Sequence, residues 1–282
     1  APFGYNTFSY TGSISEYNNL IGDTALIYGR TFAHTFGWNR VIERDPAGRT
    51  AFDATLTHRR TEREVNNLLL DPQYLTVLRM AINGLRKFAI DQQGAYATWE
   101  AGLSRGMRTL GASQDAPDIT REEAHSQFWK LDANTSTQLP LPKVGNAVLA
   151  YRGQALAQWS NVALFGSEQI FAGGMSSVRG FREGLISGDR GLTLRNEVVW
   201  ANAPAIWGVR IEPYAFLDGG QTQLVATKHW QYLAGGGAGV RLSAKLGKTA
   251  LTSELLLGRA LVQPAELGSK ATVLLATLNL VY

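Results

Sequence analysis

The chain has 282 residues, 45% of them hydrophobic and 18% charged, with 30 Gly, 9 Pro and no Cys. This composition excludes a disordered or collagenous chain, a disulfide scaffold, a thiol nucleophile and a Cys-ligated metal site. The 27 Lys and Arg exceed the 23 Asp and Glu to give a net charge of +4, which is too small and too evenly spread to predict nucleic-acid binding.

Apolar and polar side chains alternate along twelve segments, as is typical of β-strands. No apolar run is long enough for a membrane-spanning helix, which needs about 18 residues, but a transmembrane β-strand needs only about 10. In chain order, the predicted strands span 5–17, 25–44, 49–63, 74–88, 94–105, 127–139, 147–160, 191–201, 207–222, 233–246, 249–261 and 272–282.

The links between these segments alternate between short and long. The short links are 45–48, 89–93, 140–146, 202–206 and 247–248, and the longer ones are 18–24, 64–73, 106–126, 161–190, 223–232 and 262–271. Outer-membrane barrels have tight periplasmic turns and long extracellular loops. The sequence therefore predicts an all-β, antiparallel transmembrane β-barrel with both termini on the periplasmic side. A water-soluble β-sandwich or lipocalin-like barrel is the alternative, but twelve strands enclose a lumen too wide to fill with side chains.

The last strands carry charged side chains on one face and apolar side chains on the other. In 209–218, Arg210, Glu212 and Asp218 alternate with Val209 and Ile211. A wide, wet barrel tolerates such charges on its inner side. The predicted lumen wall is mixed and net basic, and it includes Arg195, Glu197, Arg210, Glu212, Arg241 and Lys245.

Two short motifs lie in this C-terminal half. The long link 161–190 contains Val178-Arg179-Gly180-Phe181, and the strand after next contains Phe216-Leu217-Asp218-Gly219-Gly220 on its inward face. Together, in this order, they resemble the signatures of the two-partner secretion transporters (TpsB family) of the Gram-negative outer membrane, a superfamily that includes the BamA-type insertases.

The resemblance implies that the link folds back into the lumen as a loop. An Arg179–Asp218 ion pair, with the rings of Phe216 and Phe181 beside it, is then expected to lock the loop. The full predicted lock comprises Val178, Arg179, Gly180, Phe181, Phe216, Asp218 and Gly220. The terminal aromatic Tyr282 resembles the family's insertion signal, although the family usually ends in Phe.

The resemblance also implies a larger protein than this chain. Family members have sixteen strands, a plug helix and two periplasmic POTRA domains. Residues 1–282 are expected to form one transmembrane barrel domain corresponding to the last twelve strands, with the other parts upstream. The alternative is that predicted segments in the N-terminal half each merge more than one strand.

The implied function is a pore that moves one large exoprotein outward in extended form. The expected partners are that exoprotein, outer-membrane lipid and lipopolysaccharide, and the barrel assembly machinery during insertion, with no nucleic acid. A BamA-like insertase barrel and a passive diffusion porin are the alternatives.

The sequence gives little support to the hypothesis that the chain is an enzyme. We predict no catalytic residue, cofactor or metal. The four histidines (His34, His58, His125 and His229) lack metal-ligand spacing and are interpreted as loop or strand-end residues. The glycines of 235–239 lead into a strand instead of a helix, so they are interpreted as relieving crowding at a barrel bend.

Overall fold

The computed structural model describes residues 2–21, 25–66, 68–247, 249–270 and 272–281. Alternation of polar and apolar side chains gives each long strand two chemically different faces. The twelve long strands of these residues are β2 (Asn6–Ile21), β3 (Ala25–Asp45), β4 (Gly48–Val65), β6 (Gln73–Ile90), β7 (Gln93–Met107), β9 (Trp129–Pro140), β10 (Leu149–Ser160), β14 (Arg190–Trp200), β15 (Arg210–Gln223), β16 (Trp230–Leu246), β17 (Thr249–Val262) and β18 (Thr272–Val281).

Short elements occur in the links and at the N-terminus. The short strands are β1 (Pro2–Phe3), β5 (Leu68–Leu69), β8 (Ala124–His125), β11 (Ala163–Leu164), β12 (Ile170–Ala172) and β13 (Ile186–Gly188), and two single-turn 3₁₀ helices span Gly166–Glu168 and Ala265–Leu267. Within the described ranges, no helix has the length and apolarity needed to cross a membrane.

The long strands belong to a single sheet, in which each pairs with the next long strand along the chain. The order is β1-β2-β3-β4-β6-β7-β9-β10-β14-β15-β16-β17-β18, and β5 pairs with β4. All twelve predicted segments correspond to long strands, which confirms the all-β prediction.

Two predicted links differ from the structure. β2 continues to Ile21, which pairs with Ala25, so the first of the predicted long links is short. β16 begins at Trp230, which leaves a link of 224–229 that is shorter than 201–209 on the opposite side. The strict alternation of short and long links was therefore wrong at these two places.

The first of two compact units comprises Ala1–Gly84, Glu100–Asp132 and Ser160–Ser167. An apolar cluster there contains Val77, Phe128, Val162 and Leu164. On the strands of this unit, the Arg79 guanidinium forms ion pairs with Asp132 and, over 2.6 Å, with Glu100.

The long link 108–128 in this unit is internally ordered around Asp115. The Asp115 carboxylate accepts hydrogen bonds from the amides of Ser126, over 2.6 Å, and Gln127, over 3.1 Å. His125 Nδ1 lies 2.9 Å from the same carboxylate. A loop with such satisfied polar groups keeps a defined conformation.

The second unit comprises Leu85–Trp99, Ala133–Trp159 and Glu168–Tyr282. One face of its strands carries exposed large apolar side chains, among them Leu217, Leu257, Leu274, Leu278 and Leu280. The other face carries Glu197, Glu212 and Asp218, all of which are buried or half-buried. We call this second side the polar face.

Two exposed positions test the predicted topology, since the chain has no native thiol. Gln114 lies in the long link 108–128 and Ala205 in the short link 201–209, and both are exposed. With Gln114→Cys and Ala205→Cys in the full-length protein, an impermeant thiol reagent on whole cells should label only position 114. Labelling of position 205 alone would show that the true topology is the inverse of the predicted one.

Candidate functional site

The loop of residues 161–189 connects β10 to β14, and β12 and β13 pair within it as a short hairpin. At the end of this hairpin, Gly173 and Gly174 have φ angles of 112° and 95°. These angles favour glycine, because a side chain would meet the neighbouring backbone. The Ser177 hydroxyl accepts a hydrogen bond from the Gly173 amide over 2.9 Å. This tight turn immediately precedes the motif 178–181.

Arg179 and Asp218 form a buried, bidentate ion pair. The guanidinium donates from Nε to Asp218 Oδ2 over 2.7 Å and from Nη2 to Oδ1 over 2.9 Å. The Arg179 backbone amide also donates to Oδ2, over 3.1 Å. Only 1% of Arg179 and 2% of Asp218 are exposed. The loop is thus attached to β15 by three charge-assisted hydrogen bonds, which are stronger than neutral ones.

Further groups complete the environment of Arg179. Its Nη1 donates to Glu197 Oε2 over 2.8 Å, and its Cζ lies 4.2 Å from the centroid of the Phe216 ring, a cation–π contact. Burial has the largest effect on the pKa of Arg179 and lowers it, but the hydrogen bonds to Asp218 and Glu197 outweigh burial and raise this pKa above its ordinary value. Arg179 is therefore charged.

Arg241 and Arg152 extend the ion pairs along the polar face. Arg241 donates to both oxygens of Glu197 over 2.9 Å and to Glu212 over 3.3 Å. Its Nε also lies 3.2 Å from Glu254. Arg152 donates to both oxygens of Glu212, over 2.6 and 3.1 Å. Each of the carboxylates Glu197 and Glu212 is therefore shared between arginines.

The register of the sheet places the residues of this ion-pair network opposite one another. Glu212 is the cross-strand partner of Arg241 on β16, and Arg241 is the partner of Glu254 on β17. On the other side, Arg152 of β10 is opposite Glu197 of β14. Directly opposed residues have Cβ atoms about 4.5–5.5 Å apart, so opposite charges at these positions meet without strain.

Glycines leave room for the loop on the polar face. A Cβ at Gly220 would lie 2.8 Å from Val178 Cγ2, and a Cβ at Gly258 would lie 2.9 Å from the Cα of Gly180. Real Cβ atoms do not approach other atoms so closely. Glycine at these two strand positions therefore leaves room for the Val178 side chain and for the backbone of Gly180.

The glycines of 235–239 have a similar role, which corrects the expectation that they relieve crowding at a bend. The carbonyl oxygen of Arg179 occupies the space that a Cβ at Gly235 would take. The ring of Phe216 lies within 2.9 Å of the Cβ position at Gly237. The run makes space for the loop and for the ring beneath the guanidinium.

Apolar side chains of the motif pack beside the ion pair. Val178 and Phe181 are 0% and 5% exposed. They belong to a cluster with Ala172, Ile186, Leu233 and Ala260. The resemblance placed both Phe216 and Phe181 beside the ion pair. The ring over the guanidinium is that of Phe216, while Phe181 contributes to the apolar cluster.

The predicted wall residues fall into two groups. Glu197, Glu212 and Arg241 join the ion-pair network. The Arg195 guanidinium donates to Gln154 over 2.9 Å, while Arg210 and Lys245 are exposed. The predicted insertion signal, Tyr282, lies outside the described residues.

Sequence reasoning missed Arg152 and Glu254, because alternation gives the face of a residue but not its cross-strand partner. It also missed Asp189, which is 0% exposed although it lies in a loop. Asp189 accepts hydrogen bonds from the Val225 amide over 2.7 Å and from Gln169 over 3.1 Å. This carboxylate joins the base of the loop 161–189 to the link 224–229.

The histidine interpretation was wrong for two residues. His34 and His58 are cross-strand partners within β3 and β4, far from the strand ends. His34 Nδ1 lies 2.8 Å from the Tyr10 hydroxyl, and His58 Nδ1 lies 3.0 Å from that of Thr76. In the described part of the chain, no group of three or more His, Asp or Glu side chains is placed to hold a metal ion.

Residues 1–242 match the model of a family described as haemolysin secretion/activation protein ShlB/FhaC/HecB. The chain belongs to this family. Outer membrane transporter CdiB of Dickeya dadantii strain 3937 is 31% identical over 277 residues, which cover 94% of this chain and 46% of the relative. The chain thus spans less than half the length of this relative. The resemblance to the TpsB transporters is confirmed.

Solved structures agree with this membership of the ShlB/FhaC/HecB family. CdiB from Escherichia coli superposes with a TM-score of 0.83 at 29% identity, covering 98% of this chain and 51% of that one. BamA from Haemophilus ducreyi, in a form lacking POTRA domains 1–3, superposes with a TM-score of 0.57 at 13% identity, covering 97% of this chain and 62% of that one. The second likeness shows the fold alone.

Two neighbouring glycines provide a matched test of the packing between loop and sheet. A Cβ at Gly220 meets Val178, whereas the nearest atom to a Cβ at Gly219 is the Leu233 carbonyl oxygen at 3.9 Å. Gly220→Ala should lower the free energy of unfolding by about 1–3 kcal/mol, the usual cost of overpacking. Gly219→Ala should cost less than about 1 kcal/mol, because the added methyl group meets open space. Denaturant unfolding of the full-length protein in detergent measures both, and equal effects would contradict this packing.

The buried carboxylate of Asp189 gives a second test. Asp189→Ala leaves the Val225 amide without its acceptor, so this amide should exchange with solvent faster. Hydrogen exchange followed by mass spectrometry on peptides covering 224–229 measures the effect. The exposed Asp118→Ala is the control and should leave this segment unchanged. Unchanged exchange in Asp189→Ala would mean that the bond does not hold the link.

Proposed function

We propose that this chain forms part of the wall of an outer-membrane pore that exports one large exoprotein in two-partner secretion. In this proposal the polar face lines the lumen, and the face with the exposed leucines contacts lipid and lipopolysaccharide. Export is a passage of extended polypeptide without catalytic chemistry or ATP. The barrel assembly machinery is the expected partner during insertion into the outer membrane.

Membership of the ShlB/FhaC/HecB family supports the proposal, as does the name of the Dickeya dadantii relative, outer membrane transporter CdiB. The chemistry of the two faces supports it as well. Leu274 and Leu280 are 74% and 62% exposed on a face that would be unfavourable in water. A lipid environment on that side removes the cost.

The observation that carries the proposal is the buried contact of Arg179 with Asp218 and Glu197. A pore wide enough for a polypeptide leaks unless a segment occupies it. The loop 161–189 is such a segment, and we propose that this contact locks it in the lumen. Loss of one partner from a buried ion pair costs about 3–5 kcal/mol, because the other charge is left without compensation. That cost corresponds to a shift of more than about a hundredfold between the seated and released loop.

Replacement of either partner tests the lock in the full-length protein with its cognate exoprotein. Arg179→Ala and Asp218→Ala should each lower the amount of exoprotein in the medium. The double variant should be less than additive, since the second residue has lost its partner already. The exchange of the two charges should recover export in part at most, because the guanidinium fork would start from a different backbone position.

The same loop offers a matched control. Arg182 is exposed three residues after Arg179, so Arg182→Ala removes the same charge without breaking the ion pair and should export normally. Heat-modified electrophoretic mobility verifies that every variant is folded in the outer membrane. Normal export by both Arg179→Ala and Asp218→Ala would refute the lock.

A further inference from the structure

A polar cavity lies beside the ion pair on the same face of the second unit. Its volume is about 420 Å³, and residues of β7, β9, β10, β14 and β16 line it together with Arg179. The volume is typical of sites for small ligands, roughly 300–1,000 Å³. It is sufficient for one or two side chains of an extended polypeptide and far too small for a folded domain.

The charges around this cavity are predominantly positive. Four arginines line it, Arg152, Arg179, Arg195 and Arg241, against the single carboxylate of Glu197. Of these residues, Arg179 and Arg241 already bind Glu197, over 2.8 and 2.9 Å. A cation entering the cavity would therefore meet four positive charges and a carboxylate whose hydrogen-bonding capacity is largely used.

Three of the arginines have carboxylate partners. Arg179 pairs with Asp218, Arg241 with Glu197, and Arg152 with Glu212. In a network of this kind, neighbouring opposite charges offset much of the cost of desolvation.

Arg195 differs from the other three. Its Nη1 donates to the amide oxygen of Gln154, a neutral acceptor, over 2.9 Å. Its Nε is buried and has no hydrogen-bond partner among the described residues. A buried donor without an acceptor carries an uncompensated desolvation penalty. An anion in the cavity would supply the opposite charge that Gln154 does not.

We propose that the cavity is a carboxylate-binding site built around Arg195, and that its ligand is an Asp or Glu side chain of the extended exoprotein. The ligand source depends on the proposed function, whereas the carboxylate chemistry does not. The planar guanidinium favours a carboxylate ligand, because it can donate to both carboxylate oxygens. The Gln154 amide is a neutral acceptor and leaves the charge of Arg195 for the ligand to compensate.

The site is complete while the loop 161–189 is seated, because Arg179 is both a lining residue and the partner of Asp218. An acidic segment of the exoprotein can therefore be bound next to the ion pair before the loop moves. The proposed carboxylate site thus lies directly beside the contact that holds the loop.

Block of single-pore current tests the site without requiring export. The full-length transporter is placed in a planar lipid bilayer, and triglutamate, trilysine or sulfate is added to one chamber. Arg195→Gln should raise the half-blocking concentration of triglutamate by about tenfold or more, because it removes a charge-assisted hydrogen bond to the ligand. Trilysine should block neither form at the concentrations at which triglutamate does.

Two further variants keep the result interpretable. Lys87→Gln removes one exposed positive charge elsewhere, on β6, and should change the triglutamate block less than about twofold. If Arg195→Gln and Lys87→Gln weakened the triglutamate block equally, the net electrostatic field of the lumen would explain the block. That result would overturn the proposed site. If Arg195→Gln does not insert, Gln154→Leu, which removes the acceptor orienting Arg195, should weaken the block, and an unchanged block would overturn the proposal.

Two experiments test whether the exoprotein is the source of the bound carboxylate. In the exoprotein arm, Arg195→Gln should slow export of the cognate exoprotein while Lys87→Gln does not. In the free-anion arm, a weaker sulfate block in Arg195→Gln together with unchanged export would overturn the exoprotein as ligand. Failure of the Arg179 and Asp218 variants to alter export would refute the lock and leave the current-block result intact, so the two proposals fail separately.

Discussion

The enclosure of the Arg179 guanidinium is the interaction on which the rest of this structure depends. A positive charge with 1% of its surface exposed has lost almost all of its hydration and is stable only if the protein replaces it. Asp218 and Glu197 supply the acceptors, and Phe216 supplies a ring face. All three groups come from β14 and β15, so the sheet register must be correct before the loop 161–189 can be seated. The position of the loop therefore depends on the correct pairing of β14 with β15.

The second requirement is space for the loop on the strands, and glycines at the contact positions provide it. Gly220 and Gly258 allow Val178 and the backbone of Gly180 to lie directly on the strands. The ion pair can form at its observed distances only because the loop approaches this closely. Charge and packing are therefore coupled here. A methyl group added at Gly220 or Gly258 would weaken the contact between Arg179 and Asp218, as the loss of the Asp218 carboxylate would.

The sequence predicted much of the fold and the centre of the site, for identifiable reasons. Twelve strands were predicted because one face is apolar and the other polar, a pattern that a period of two reveals. The pairing of Arg179 with Asp218 came from two signatures in the correct order. The partners Arg152 and Glu254 were not predicted, since they depend on a register that alternation cannot give. Residues 18–21, Asn-Asn-Leu-Ile, were taken for a link because propensity is a weak guide where cross-strand pairing decides.

Glu197 has two arginine ligands on different parts of the chain, Arg179 on the loop and Arg241 on β16. Departure of the loop would therefore leave Glu197 bonded to Arg241, and Asp218 would keep the hydrogen bond from the Asn196 amide, 3.1 Å away. The surface that receives the loop would thus keep these hydrogen bonds after the loop had left. Reseating would then be a search by the released loop for a preorganised surface, and the entropy cost of ordering would fall mainly on the loop.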